Sequence, residues 1–129
     1  MRIEHVALWT GDLERLRAFY VDVLGASAGP KYLNPRTGFE SCFLSFAEGA
    51  RLELMRRPDV AARAEAGSAQ AHGWAHVALA LGSREAVDGL AARLRACGLA
   101  VDSGPRQTGD GYYEVAFRDP DGNRLEVMA

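Results

Sequence analysis

Two histidines and two glutamates recur along this chain in a matched order. His5 opens the tetrapeptide His5-Val6-Ala7-Leu8, and His76 opens the identical His76-Val77-Ala78-Leu79. Further on, Arg51-Leu52-Glu53-Leu54-Met55 is answered by Arg124-Leu125-Glu126-Val127-Met128. Glu53 follows His5 by 48 positions and Glu126 follows His76 by 50. A lone strand histidine, or a glutamate beside an arginine, is ordinarily a solvated group of little consequence. Recurrence of both, in order and at nearly equal spacing, marks a duplicated unit that keeps the same four side chains. Two imidazoles and two carboxylates form a donor set for one divalent metal ion. Neutral imidazole suits zinc, nickel and iron, and carboxylate oxygens widen the range to manganese and cobalt. Four protein ligands with room for solvent leave positions where substrate oxygens can bind and be polarised. A closed structural site would favour thiolates, and neither Cys42 nor Cys97 lies near these positions.

The elements that must carry these residues are legible in both halves. Ile3 to Trp9 and Trp74 to Leu81 are short, apolar and rich enough in strand formers to be β-strands. Asp12 caps a helix bearing Leu13, Leu16, Tyr20 and Val23, stopped by Gly25. Ser83 caps one bearing Val87, Leu90, Leu94 and Cys97, stopped by Gly98. Three shorter strands follow each helix: near Lys31, Phe39 to Phe46 and Ala50 to Met55, then Ala100 to Val101, Tyr112 to Phe117 and Arg124 to Met128. Asp119-Pro120-Asp121-Gly122-Asn123 is a strong turn signal before the last strand. The expectation is an α+β chain of two tandem βαβββ modules, about 1–55 and 74–129. An Ala-rich connector, about 56–73, joins them with room for one helical turn. Alternation along a strand then puts His5 on the face of Ala7 and Trp9, opposite Val6 and Leu8. His76, Glu53 and Glu126 are likewise opposed to aliphatic neighbours. In each unit the aliphatic face packs on the helix and the other face presents a His and a Glu.

Composition bounds the setting. The chain has 129 residues, 48% of them apolar and 25% charged, which suits a single soluble globular domain. A formal charge of −2 offers no basic field for nucleic acid or an anionic membrane surface. No apolar run approaches the roughly 18–20 residues a membrane span requires. Two cysteines outside CxxC spacing make no disulfide framework and are expected to be reduced and mostly buried. Met1-Arg2-Ile3-Glu4-His5 interrupts the apolar run of a signal peptide. The expected setting is the cytoplasm.

With these residues in view, the chain resembles the vicinal oxygen chelate superfamily, which includes glyoxalase I, bleomycin- and fosfomycin-resistance proteins and extradiol dioxygenases. The marks are His5-Val6-Ala7-Leu8, Asp12-Leu13, Phe19-Tyr20, Leu24-Gly25, His76-Val77-Ala78-Leu79 and Asp119-Pro120-Asp121-Gly122-Asn123-Arg124-Leu125-Glu126. They cover nearly the whole chain. The resemblance implies curved sheets that form a cup, a homodimer, and His5, Glu53, His76 and Glu126 as ligands of one divalent metal, zinc or nickel first, then cobalt, manganese or iron. It further implies a lyase or isomerase that works through a metal-chelated enediolate, with Glu126 as a loosely held ligand and general base. In the resembled glyoxalase the first His and Glu come from one chain and the second pair from its partner. Two departures bear on substrate. Glutathione-dependent glyoxalase I carries an Arg four residues after its first ligand, where this chain has Trp9. It carries an Asn four residues after its first Glu ligand, where this chain has Arg57. Both argue against the glutathione hemithioacetal and for another small molecule.

Two other classes fit parts of the pattern. An extradiol dioxygenase would use His5, His76 and Glu126 as an iron triad and leave Glu53 idle. A bleomycin- or fosfomycin-resistance type of protein would bind or modify a ligand without needing all four. Trp9, Trp74, Tyr112 and Tyr113 are candidates to line the cup, with plain packing an equal alternative. Glu114 is a further carboxylate whose register the neighbouring Gly109 and Gly111 obscure.

Overall fold

A computed structural model describes residues 1–61 and 74–129. The chain divides into two compact units, Met1–Gly67 and Ser68–Ala129. The connector expected over 56–73 falls largely on residues 62–73, and its helical turn lies outside the described residues.

The first unit runs β1 (His5–Trp9), α1 (Leu13–Asp22), β2 (Ser27–Ala28), β3 (Tyr32–Asn34), β4 (Phe39–Ser45) and β5 (Arg51–Arg56). Its sheet has the order β1-β5-β4-β2, with β3 also paired to β4. β1 runs parallel to β5, and the other pairs are antiparallel. Asp12 caps α1 as expected, its carboxylate accepting from the Arg15 amide at 3.0 Å. Leu13, Leu16, Phe19 and Tyr20 of α1 are buried, and α1 packs on β4 and β5. Cys42, Leu44, Leu52 and Leu54 are the buried residues on those strands' helix-facing side. Leu16 is fully buried, so truncating it to Ala would cost about 2–5 kcal/mol.

One strand was expected near Lys31, and the chain instead forms two short pieces, β2 and β3, on the same edge of β4. Gly29-Pro30 interrupts them. Pro30 has no amide proton to give the ladder, while the Gly29 amide still donates to the Phe43 carbonyl at 2.8 Å. The unit is a βαβββ module whose edge strand is broken in the middle.

The second unit runs β6 (Val77–Ala80), α2 (Arg84–Ala96), β7 (Val101–Gln107), β8 (Tyr113–Arg118) and β9 (Arg124–Met128), with sheet order β6-β9-β8-β7. β6 is parallel to β9, so this unit repeats the connectivity of the first. Ser83 caps α2 by accepting from the Ala86 amide at 3.2 Å. Val87, Leu90, Ala91 and Leu94 of α2, Val115 and Phe117 of β8, and Leu125 and Val127 of β9 are buried. α2 packs on β7, β8 and β9. Cys97 departs from expectation: it is the C-cap residue of α2 and exposed, whereas Cys42 is buried. The helix ends at Ala96, so Cys97 sits at its cap, past the buried stripe of Val87, Leu90, Ala91 and Leu94.

β7 is longer than the two residues expected. Its register with β8 shifts twice between Val101 and Arg106, which accommodates Gly104-Pro105 inside a strand. Gly104 is required there: its φ is +87°, and a Cβ would lie 2.4 Å from the Glu114 carbonyl. No helix among the described residues is long and apolar enough to cross a membrane.

Candidate metal centre

The two units place their His and Glu by the same device. In the β1–β5 ladder His5 pairs with Arg51, and Ala7 pairs with Glu53. In the β6–β9 ladder Val77 pairs with Leu125 and Ala78 with Glu126. Each glutamate therefore faces a methyl group across the ladder, and the histidine two residues upstream is its diagonal neighbour. Long side chains bridge such a diagonal. His5 Nε2 lies 3.8 Å from Glu53 Oε2, and His76 Nε2 lies 3.2 Å from Glu126 Oε2. The imidazoles are open to solvent (39% and 37% exposed), while the carboxylates are mostly covered (15% and 13%).

Within each unit the His and Glu donor atoms stand at separations that can be compared with those of two ligands on one ion. Two ligands held about 2.1 Å from a metal at angles between octahedral and tetrahedral stand about 3.0–3.4 Å apart. The second pair already meets that separation, and the first needs to close by a few tenths of an ångström. A direct hydrogen bond explains the second distance but not the first, which is too long for one. Among the described residues no three His, Cys, Asp or Glu side chains gather into a metal-binding group. Each unit by itself offers a pair.

The surroundings of the pairs differ. In the first unit His5 Nδ1 is hydrogen-bonded to the Glu4 carboxylate, and Arg51 grips the other oxygen of Glu4. The bond from His5, and after it the one from Arg51, holds the Glu4 carboxyl below its ordinary range. The His5 and Phe43 rings meet edge to face with centroids 5.4 Å apart, and the Arg51 guanidinium sits 4.2 Å over the Phe43 ring. In the second unit the residue before the histidine is Ala75. Arg124, the counterpart of Arg51, turns to the glutamate itself and reaches Glu126 Oε1 at 3.1 Å. Arg124 thus engages Oε1, and Oε2 is the oxygen beside His76. The turn before β9 is fixed by Asp119, which accepts from the amides of Asp121 (3.0 Å) and Asn123 (2.9 Å) and from Asn123 Nδ2 (2.9 Å).

Other residues sort by face. Trp9 shares the open face with His5, meets Phe39 edge to face with ring centroids 6.1 Å apart, and lies beneath the Arg57 guanidinium at 5.6 Å. Tyr113 does not share Glu126's face. Its hydroxyl donates to Asp88 of α2 at 2.8 Å, because it alternates with Glu114 along β8. Tyr112 and Trp74 are exposed. Glu114 pairs with Met128 in register, which puts it on Glu126's face, where it is nearly buried and bound to Arg106 at 3.0 Å. Glu4 escaped the sequence reasoning altogether. A carboxylate beside a strand histidine carries no spacing signal, and only the matching Arg51 across the ladder hinted at it.

Comparison with known proteins places this architecture among relatives. A family model described as the Glyoxalase/Bleomycin resistance protein/Dioxygenase superfamily matches residues 2–127. A lactoylglutathione lyase of Haemophilus influenzae is 32% identical over 135 aligned positions, covering 99% of this chain and 92% of the relative. Among solved structures, a lactoylglutathione lyase from Agrobacterium tumefaciens superposes with a TM-score of 0.71 at 29% identity, covering 98% of this chain and 91% of that one. A glyoxalase/bleomycin resistance protein/dioxygenase domain from Frankia sp. EAN1pec gives a TM-score of 0.82 at 21% identity, over 99% and 96% of the two chains, a likeness of fold.

Proposed function

The chain belongs to the glyoxalase/bleomycin resistance protein/dioxygenase superfamily, and from that premise we propose that it is a divalent-metal-dependent isomerase or lyase of the glyoxalase I kind. The observation that carries this reading is the repeated diagonal: one imidazole and one carboxylate, side by side on the open face of each unit. His5, Glu53, His76 and Glu126 would hold the ion, with zinc or nickel favoured by the mixed nitrogen and oxygen donors. When bound, such an ion polarises two adjacent oxygens of a small substrate and acidifies the neighbouring C–H.

The chain's own residues do the rest. Glu126 takes the proton from the substrate carbon next to the carbonyl and returns it to the adjacent carbon. Arg124 keeps the carboxylate in place while it works, because its hold on Oε1 does not depend on what Oε2 is doing. A single carboxylate in this role contributes about 10²–10⁴-fold. Each unit supplies two ligands, so a complete centre needs a second unit, and we assign it to a homodimer partner in the cytoplasm. Trp9 and Arg57 stand where glutathione contacts would be, which favours a different small molecule carrying two vicinal oxygens.

Elemental analysis of the purified protein, paired with isomerase assays in deuterated water, tests the reading. The expected result is about one metal per chain and metal-dependent label uptake at the substrate carbon, lost in Glu126→Gln. No bound metal, together with no turnover on adding metal, would establish the ligand-binding reading instead. Oxygen consumption with catechols would establish the dioxygenase.

A further inference from the structure

We propose that Glu4, tethered by Arg51, is a positioning residue that sets the tautomer of His5 and aims its Nε2 lone pair at the metal site. An ionised carboxylate can only accept hydrogen bonds, so the contact between His5 Nδ1 and Glu4 Oε2 requires the proton on Nδ1. In the neutral ring that leaves Nε2 bare, and Nε2 is the nitrogen facing Glu53. Arg51 fixes Glu4 from the far side through Oε1, and its backbone amide also donates to the Glu4 carbonyl at 3.1 Å. Arg51 is itself seated on Phe43, whose ring meets that of His5 edge to face. Glu4, Arg51, Phe43 and His5 thus form a closed circuit around one imidazole. Metal-bound histidines are commonly oriented by a carboxylate on their second nitrogen, and losing that partner typically costs 10–100-fold in metal affinity. The circuit belongs to this unit alone, since Ala75 takes the place of Glu4 beside His76.

The inference rests on the metal reading for its purpose, but its core is testable without metal. Long-range ¹H–¹⁵N correlation of the metal-free protein, at a pH where the imidazoles are neutral, reports which ring nitrogen carries the proton. His5 is expected as the Nδ1–H tautomer in the wild type and in Glu4→Gln, whose amide oxygen can still accept. In Glu4→Ala it should shift to a mixture or to Nε2–H. His76 is the internal reference and should not respond, which also shows that each variant is folded. Zn²⁺ titration against a chelator of known affinity should then show a 10–100-fold loss in Glu4→Ala, largely restored in Glu4→Gln. An Nε2–H ring in the wild type, or an unchanged tautomer in Glu4→Ala, overturns the proposal. If Zn²⁺ fails to bind even the wild type, the metal reading falls, and the tautomer still decides whether Glu4 sets the ring.

Discussion

Ala7 lies directly opposite Glu53 across the β1–β5 ladder. Its methyl group leaves the glutamate free to lean toward His5, two residues away, and Ala78 does the same for Glu126. Ala7→Leu and Ala78→Leu should therefore fill the space between ligands while leaving the helix-facing core intact. A metal present at 100 times its dissociation constant stabilises the fold by about 2.7 kcal/mol, and a tenfold loss of affinity reduces that to about 1.4 kcal/mol. Thermal melts with and without Zn²⁺ check this. Equal stabilisation of wild type and both variants would show that the alanines are incidental.

Removing the metal should destabilise the folded chain. At the same saturation, chelation is expected to lower Tm by roughly 10 °C for a chain of this size. Zinc, nickel, cobalt or manganese should restore it. Glu53→Ala and Glu126→Ala should each blunt the restoration, and a melt indifferent to both chelator and metal would count against the centre.

The division of ligands between chains is open to complementation. His5→Ala and His76→Ala should each be inactive alone. Co-expressed, they pair at random, about half the dimers are mixed, and a shared site leaves roughly a quarter of all sites intact. Recovery near that fraction supports sharing across the interface. No recovery, with mixed dimers demonstrated, places each site within one chain.

Substrate choice should turn on Trp9 and Arg57. The Arg57 guanidinium lies over the Trp9 ring and is also paired with Asp59, so the two positions are engaged with each other and with Asp59. The methylglyoxal–glutathione hemithioacetal should give kcat/KM below the usual enzymatic range of about 10⁴–10⁸ M⁻¹s⁻¹. The double variant Trp9→Arg, Arg57→Asn should raise it. A wild-type value within that range would show that the two positions do not govern specificity.

Acid should loosen the first unit through Glu40. Lys31 donates to it at 2.7 Å and Arg56 at 3.0 Å, and the Lys31 bond first, then charge from both cations, lowers the Glu40 carboxyl from its usual 4.5. A depressed carboxylate contributes stability at pH above its unfolded value and loses it as pH falls through the folded one. The drop in Tm on acidification below about 4.5 should accordingly be smaller in Glu40→Gln than in the wild type.

Much of this was legible in the residues. Asp12 and Ser83 cap their helices because a short polar side chain before an apolar stripe has one good use. The strands bearing His5, Glu53 and Glu126 were legible because each alternates apolar with polar residues, and burial follows that alternation along β1, β5 and β9, while His76 falls one residue before β6. What escaped were features that depend on a distant partner. Gly104-Pro105 reads as a break, and only the shifted register against β8 lets β7 run through it. At Gly29-Pro30 the edge strand splits, yet the Gly29 amide still finds the Phe43 carbonyl of β4. Glu4 gained meaning only once the ladder set Arg51 beside it.

Arg51 and Arg124 hold equivalent places in the repeat, and they grip different things. One secures the support of a nitrogen donor; the other secures an oxygen donor directly. The two halves have thus diverged in which half of the ligand pair is restrained, although both kept the pair. In the centre proposed above, one imidazole would be braced through its second nitrogen and one carboxylate through its second oxygen, with an unbraced member of each type beside them. Two copies of the same half would lack that mixture, so in such a centre the duplicates would be complementary parts and not spare versions of one another.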